Sequence, residues 1–213
     1  MIDTSDGALG SREHQHRVVS VILAEHRSLS AVLWSLSYLA REIGTEPDFE
    51  LLSLMIDYID LFPERLHHPK EDRHLFAALR MRTADANAIL QELAAEHARG
   101  ARMIDDLRYA LMRYRLAGPE GRAQFATAVQ AYAEFHWNHM RKEEEVLLPL
   151  AARALTYDDW RAIDTAFGET SDPLLGPEAR TALRGLFQTI LELAPPPVGL
   201  GSARDMSKPT ARR

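Results

Sequence analysis

The chain has no cysteine among its 213 residues. That excludes disulfide staples, thiolate-held zinc, iron–sulfur clusters and thiol nucleophiles, and it leaves His, Asp and Glu to hold any metal. No segment approaches the roughly 18 consecutive apolar residues of a membrane span. The opening stretch MIDTSDGALGSREHQHR has no apolar run and does not read as a signal peptide, so the expected compartment is the cytoplasm. Positive charge is not in excess: 25 Lys and Arg face 31 Asp and Glu, for a net charge of -6 and a pI near 5.8. This argues against nucleic acid or an anionic membrane surface as the main partner. Alternating Val/Ile-rich runs, glycine-rich phosphate loops and catalytic triads are also missing, so neither strands nor the common nucleotide chemistries are expected.

What is present is helical periodicity. Residues 1–11 are polar and read as a disordered lead. Four long amphipathic patterns follow, at about 12–43, 48–81, 84–117 and 119–154. The first stops at Gly44. The second opens after Pro47 and should be bent by Pro63 and Pro69, because an interior proline loses a hydrogen bond and clashes with the preceding turn. Thr83 is placed to cap the third, Gly118 to stop it, and Pro119 to open the fourth. Connections this short make sequential helices antiparallel neighbours. The expected fold is therefore all-α: an up-down-up-down four-helix bundle over 12–154. A helical C-terminal extension is expected over 155–194, with a capped start at Thr156–Trp160, an end near Gly168 and a further helix at about 177–193. The Pro/Gly-rich, basic segment 195–213 reads as a disordered tail.

The apolar stripes of these helices carry residues that do not belong in a core. Phe125, Val129, Tyr132, His136, His139, Glu143, Val146 and Leu150 follow one another at spacings of three and four on the fourth helix. On the third, His97 and Gly100 interrupt Leu90, Leu93, Ile104, Leu107, Leu111 and Tyr114. On the first, His26 lies among Val19, Ile22, Leu29, Leu33 and Leu36. On the second, His67, Glu71 and His74 share a face. Burying an ionisable group without a partner costs several kcal/mol, roughly. One such residue would be a satisfied core histidine; the same offence on four helices is a site. Its axial register agrees. His97 stands about 21 residues before the turn near 118 and His139 about 21 after it, and the other pairs match to within a turn at about 1.5 Å per residue. Imidazoles and carboxylates in one layer are the donor set of a transition metal.

Outside that layer, His68 lies off the stripe and is expected to be solvated, His14 and His16 sit at a fraying end with no role, and Trp34 and Trp137 read as packing residues. A ferritin-like centre needs Glu-x-x-His on two helices and a lone Glu on two others. Glu71-x-x-His74 and Glu13-x-x-His16 match locally, but the fourth helix offers no such pair and the third has His97 where a Glu is required. Four-coordinate zinc has no need of so many histidines and two carboxylates.

The order H…HxxxE…H…HxxxE on successive helices resembles the hemerythrin-like (HHE cation-binding) family, from about Val18 to Ala152. The strings AEHRSL, HHPKEDRHLF, EHARG and HMRKEEEVLLP carry the resemblance. It implies a four-helix bundle holding a non-haem di-iron centre, two irons per chain, bridged by two carboxylates. His26, His67, His97 and His139 would then be terminal ligands, with Glu71 and Glu143 the bridges. Oxygen-carrying hemerythrins have a second histidine four residues after the one on the third helix, where this chain has Ala101. Their fourth-helix carboxylate lies five residues after its histidine, where this chain has Glu144. Glu143 is preferred because it lies in the stripe, whereas Glu144 is rotated about 140° from His139.

The missing histidine leaves one iron a ligand short, to be completed by His136, His74, water or an exogenous ligand. An open position favours reaction over pure oxygen carriage. The resemblance therefore implies a protein that binds or reacts with O2, NO or peroxide in sensing, scavenging or iron handling. The alternatives are a di-iron peroxidase or oxidase, and a helical interaction module with a structural metal. In the latter, the C-terminal extension would dock a protein partner or a second copy.

Overall fold

The turns fall where the sequence punctuates them. Asp48 accepts a hydrogen bond from the Leu51 backbone N–H at 3.1 Å and opens the second rod of the molecule. Thr83 does the same for Asp85 at 3.2 Å. Gly118 adopts φ 61°, a conformation open to glycine, and ends the third rod. Pro119 then supplies the first helical position of the next, where its missing N–H leaves nothing unsatisfied.

The computed structural model describes residues 4–41, 46–168, 185 and 188–192. It is all-helical among the described residues, with no strand. Helix α1 spans Thr4–Arg41, opening earlier than the periodicity suggested. The second rod is continuous through α2 (Phe49–Ile59), a π turn (Asp60–His67), α3 (His68–Lys70), a second π turn (Glu71–Phe76) and α4 (Ala77–Arg82). After a 3₁₀ turn at Ala84–Ala86 come α5 (Asn87–Ala117) and α6 (Pro119–Lys142). A third π turn (Glu143–Leu147) runs into α7 (Leu148–Ala154), and α8 (Tyr157–Gly168) follows. Residues 185 and 188–192 are helical; the rest of the expected 177–193 helix and the 195–213 tail lie outside the described residues.

The first π turn falls at Pro63, where a bend was expected; Pro69, the other expected bend, lies in α3 between the two π turns. Pro63 lies inside the first, which lets the His68 N–H reach back to the Pro63 carbonyl. A widened turn accommodates a ring that would clash with the carbonyl four residues earlier. Each π turn also slips the helical register by about a residue. Val146, expected in the stripe, is 42% exposed, while Leu147, Leu148 and Ala151 are buried beyond it.

α5 and α6 pack antiparallel. Tyr114 meets Phe125 near their connection, His97 meets His139 midway, and Glu92 meets Lys142 at the far end. The second rod also runs antiparallel to α5: Phe49 packs on Tyr114, Asp57 and Asp60 accept hydrogen bonds from Arg108, and Asp72 reaches His97. α1 lies against α6 and α8. The interior falls into two apolar clusters. One holds Leu33, Met55, Ile104, Phe125 and Tyr132, joined by Ile190 from the C-terminal segment. The other holds Ile22, Phe76, Leu90, Leu147 and Trp160. Between them lie the buried His26, His67, His68, Glu71, His97, His136, His139 and Glu143.

α8 is clasped to the outside. Arg82 donates two hydrogen bonds to Asp159, at 2.7 and 2.9 Å, and Thr156 and Asp159 cap the helix reciprocally. Asp164 takes Arg17 and also His14, which therefore has a partner despite its expected idleness. Trp34, in contrast, is not a core residue: it is 50% exposed and stacks on Tyr38. No helix among the described residues is long and apolar enough to cross a membrane.

Two outcomes follow from these contacts. A Cβ at Gly121 would stand 2.5 Å from the Arg113 carbonyl oxygen and 2.6 Å from the Tyr114 Cα, both backbone atoms. Gly121→Ala should force α5 and α6 apart and cost about 1–3 kcal/mol in denaturant unfolding. The second concerns acid. Hydrogen bonding from Arg82 holds the Asp159 carboxyl down at about 2, below its ordinary 3.8. A depressed carboxyl stabilises the fold above its unfolded value and loses that effect as pH falls through the folded one. Arg82→Ala should lower the melting temperature at neutral pH by a few degrees, roughly, and the gap to wild type should close by about pH 2.

Candidate metal centre

Each rod delivers its ionisable side chains to the layer between the two apolar clusters. α1 brings His26, the second rod His67 and Glu71, α5 His97, and α6 with its following π turn His139 and Glu143. All six residues are 7% exposed or less. The imidazoles stand in two pairs: His26 Nε2 is 3.2 Å from His67 Nε2, and His97 Nε2 is 3.2 Å from His139 Nε2.

The carboxylates link the pairs. Glu71 sets Oε1 3.4 Å from His67 Nε2 and Oε2 3.7 Å from His97 Nε2. Glu143 sets Oε2 3.3 Å from His26 Nε2 and Oε1 3.3 Å from His139 Nε2. Each carboxylate thus gives one oxygen to each pair. Two donor sets result, His26–His67–Glu71–Glu143 and His97–His139–Glu71–Glu143, each with its ligand atoms within 4.8 Å of one another.

The other ring nitrogens explain why the Nε2 atoms face inward. His26 Nδ1 pairs with Glu144 at 2.8 Å, His67 Nδ1 with Glu25 at 2.8 Å, His97 Nδ1 with Asp72 at 3.1 Å and His139 Nδ1 with Glu96 at 3.0 Å. A carboxylate on Nδ1 holds the proton there and turns the Nε2 lone pair toward the centre, as partners of metal-bound histidines do. Two lone pairs facing at hydrogen-bond distance repel unless a proton or a cation lies between them.

The charges point the same way. Burial and the neighbouring Glu143 charge push the Glu71 carboxyl well above its usual range. Burial works against the Glu143 charge, yet positive charge at His139 and the facing imidazoles of His26 and His97 hold its carboxyl well below the usual range. His139 is raised to about 9, since Glu143 and Glu96 outweigh the burial that would lower it. All four oxygens of Glu71 and Glu143 lack a hydrogen-bond partner. Orphaned carboxylate oxygens this deep fit a cation: it would supply the positive charge and the oxygen coordination that the protein withholds.

Of the two further candidates, His136 is fully buried beside the layer, but its closest acidic partner is Glu64, at 3.4 Å. His74 is exposed and takes no part. The π turn after Glu71 rotates it out and puts Leu75 and Phe76 inside. His68, expected to be solvated, is 3% exposed and stacks on His97 at 4.1 Å. The π turn at Asp60–His67 brings His67 and His68 to the interior together, along with Glu64. The doublet His67-His68 and the Pro63 within that turn were the available signals. Glu144 keeps 41% of its side chain exposed yet touches the centre through His26. Beside His26 and Glu144, a cleft of about 370 Å³ is lined by Arg27, Trp137, Met140 and Arg141.

A sequence profile for the hemerythrin HHE cation-binding domain matches residues 17–151, from α1 through α7. Comparison with curated proteins finds no match.

Glu143 and Glu144 should separate sharply on substitution. Glu143→Ala removes an oxygen from both donor sets, and should abolish or halve the bound metal measured by elemental analysis after reconstitution. Glu144→Ala leaves both sets intact and frees only His26 Nδ1, so it should weaken binding about tenfold in a titration.

Proposed function

The chain belongs to the hemerythrin HHE cation-binding domain family, and on that premise we propose that it is a non-haem di-iron protein that binds or reacts with a small ligand such as O2, NO or peroxide. The observation that carries this reading is the bridging posture of Glu71 and Glu143, each with one oxygen toward each histidine pair. Two cations side by side need such shared carboxylates; one does not. In this reading His26, His67, His97 and His139 are the terminal ligands, and the four rods form an up-down-up-down bundle with residues 155–194 as its extension. Nitrogen and oxygen donors without thiolate suit iron.

Iron in this position supplies a change of oxidation state and an exchangeable coordination site. The chain's own residues do the rest. Glu144, Glu25, Asp72 and Glu96 orient the imidazoles. Leu29, Ile104 and Tyr132 are buried in the apolar cluster on one side of the layer and keep water from it. Each donor set counts two imidazoles and two shared carboxylates, which leaves positions unfilled on a metal preferring five or six ligands. α5 does not fill them, because Ala101 is exposed. The cleft beside His26 offers a small molecule an approach, with Arg27 and Arg141 at its edge favouring an anion such as azide. Sensing, scavenging and iron handling all draw on such a site, in a protein we place in the cytoplasm.

Anaerobic reconstitution with ferrous iron should load about two metal atoms per chain. Air exposure should then develop a near-ultraviolet charge-transfer band that shifts with azide. One metal or none would defeat the di-iron reading, and loading by zinc in preference to iron would defeat the redox one. The metal-free protein should melt several degrees below the loaded form, because the ligand binds only the folded state. Coincident melting curves would count against a site in the core.

A further inference from the structure

Five buried histidines share one arrangement, although only four belong to the two donor sets. His68 faces Glu64 Oε2 through Nδ1 at 3.3 Å, as the other four face their carboxylates. That contact is close enough to pair, though not aligned for a hydrogen bond. A ligand-capable nitrogen of His68 lies within 4.8 Å of those of His97 and His139. Glu64 is itself held: Tyr132 Oη–H donates to it at 2.9 Å, and His136 Nε2 stands 3.4 Å away. The room for it comes from Gly100, where a Cβ would meet Glu64 Oε1 at 2.7 Å. This whole set converges on the His97–His139 pair.

We propose that His68 is the third imidazole of the metal position formed by His97 and His139, with Glu64 as its positioning carboxylate. This rests on the di-iron reading above and deepens it. The two metal positions then differ: His26 and His67 serve one, and His97, His139 and His68 the other. His68 supplies from the second rod the imidazole that Ala101 cannot supply from α5. An imidazole binds a metal in the plane of its ring. The rings of His68 and His97 are 9° from parallel with centroids 4.1 Å apart, so in the stacked pose they cannot share an ion. Ligation requires the His68 ring to turn about its Cβ–Cγ bond. Stacked, it leaves the position free for a small ligand; turned in, it closes it.

The test uses His68→Phe, which keeps an aromatic face against His97 but has no nitrogen, and His68→Gln as a second, polar replacement. Circular dichroism and melting of the metal-free forms report whether each variant folds. Ferrous iron is titrated anaerobically into the full chain, the metal is counted, and the Mössbauer spectrum is recorded. Wild type should take about two irons with two distinct quadrupole doublets. In folded variants the second equivalent should weaken about tenfold or more, or be lost, and one doublet should change while the other stays. Glu64→Gln should give a smaller shift in the same doublet. If wild type takes two irons and both His68 variants match it in affinity and spectrum, the His68 assignment is overturned and the di-iron reading stands. If wild type itself takes fewer than two, the di-iron reading fails and the assignment fails with it.

Discussion

Two carboxyl groups, Glu71 and Glu143, lie fully buried side by side with their four oxygens turned to four imidazole nitrogens. The rest of the molecule can be understood as what keeps that arrangement from collapsing. Neither side chain can retreat to water, because an apolar cluster closes the layer above and another closes it below. The imidazoles cannot rotate away, because a carboxylate outside the layer holds each Nδ1. One of those outer carboxylates is anchored in turn: Glu96 also takes Lys142, which bonds Glu92 as well. The order is concentric, with inner oxygens, then imidazoles, then carboxylates that reach solvent.

Much of this was legible in the chain because it rests on local rules. Thr83, Gly118 and Pro119 mark helix ends through their own chemistry, and each does so here. His26, His67, Glu71, His97, His139 and Glu143 were visible as ionisable residues in apolar stripes, and all six are buried. Counting back from each turn was enough to bring them to one level, since straight antiparallel helices keep axial register.

What was not legible traces mostly to the π turns, because a period of 3.6 residues does not foresee an inserted residue. Val146 and His74 were placed inside and lie outside; His68 was placed outside and lies inside. Glu64 had no signal beyond its position one residue after Pro63, and its burial depends on the space at Gly100 on another helix. The contacts of His14 with Asp164 and of Arg82 with Asp159 join residues far apart in the chain. No periodicity reports them, since they depend on how α8 folds back.

The widened turn at Asp60–His67 also changes what neighbouring positions in the chain can share. In an ordinary α-helix consecutive side chains diverge by about 100°, so at most one of an adjacent pair can point at a given spot. Here His67 and His68 are both buried, each 3% exposed, and both lie at the same centre. The rod is therefore sensitive to its length as well as its composition. Removing one residue between Asp60 and Leu66 would return the segment to an ordinary helical repeat and rotate everything on one side of it by a full side-chain position. Every side chain near the centre could be kept and the doublet still pulled apart, one imidazole in and one out. For this rod, spacing is as much a constraint on the sequence as the identity of the histidines.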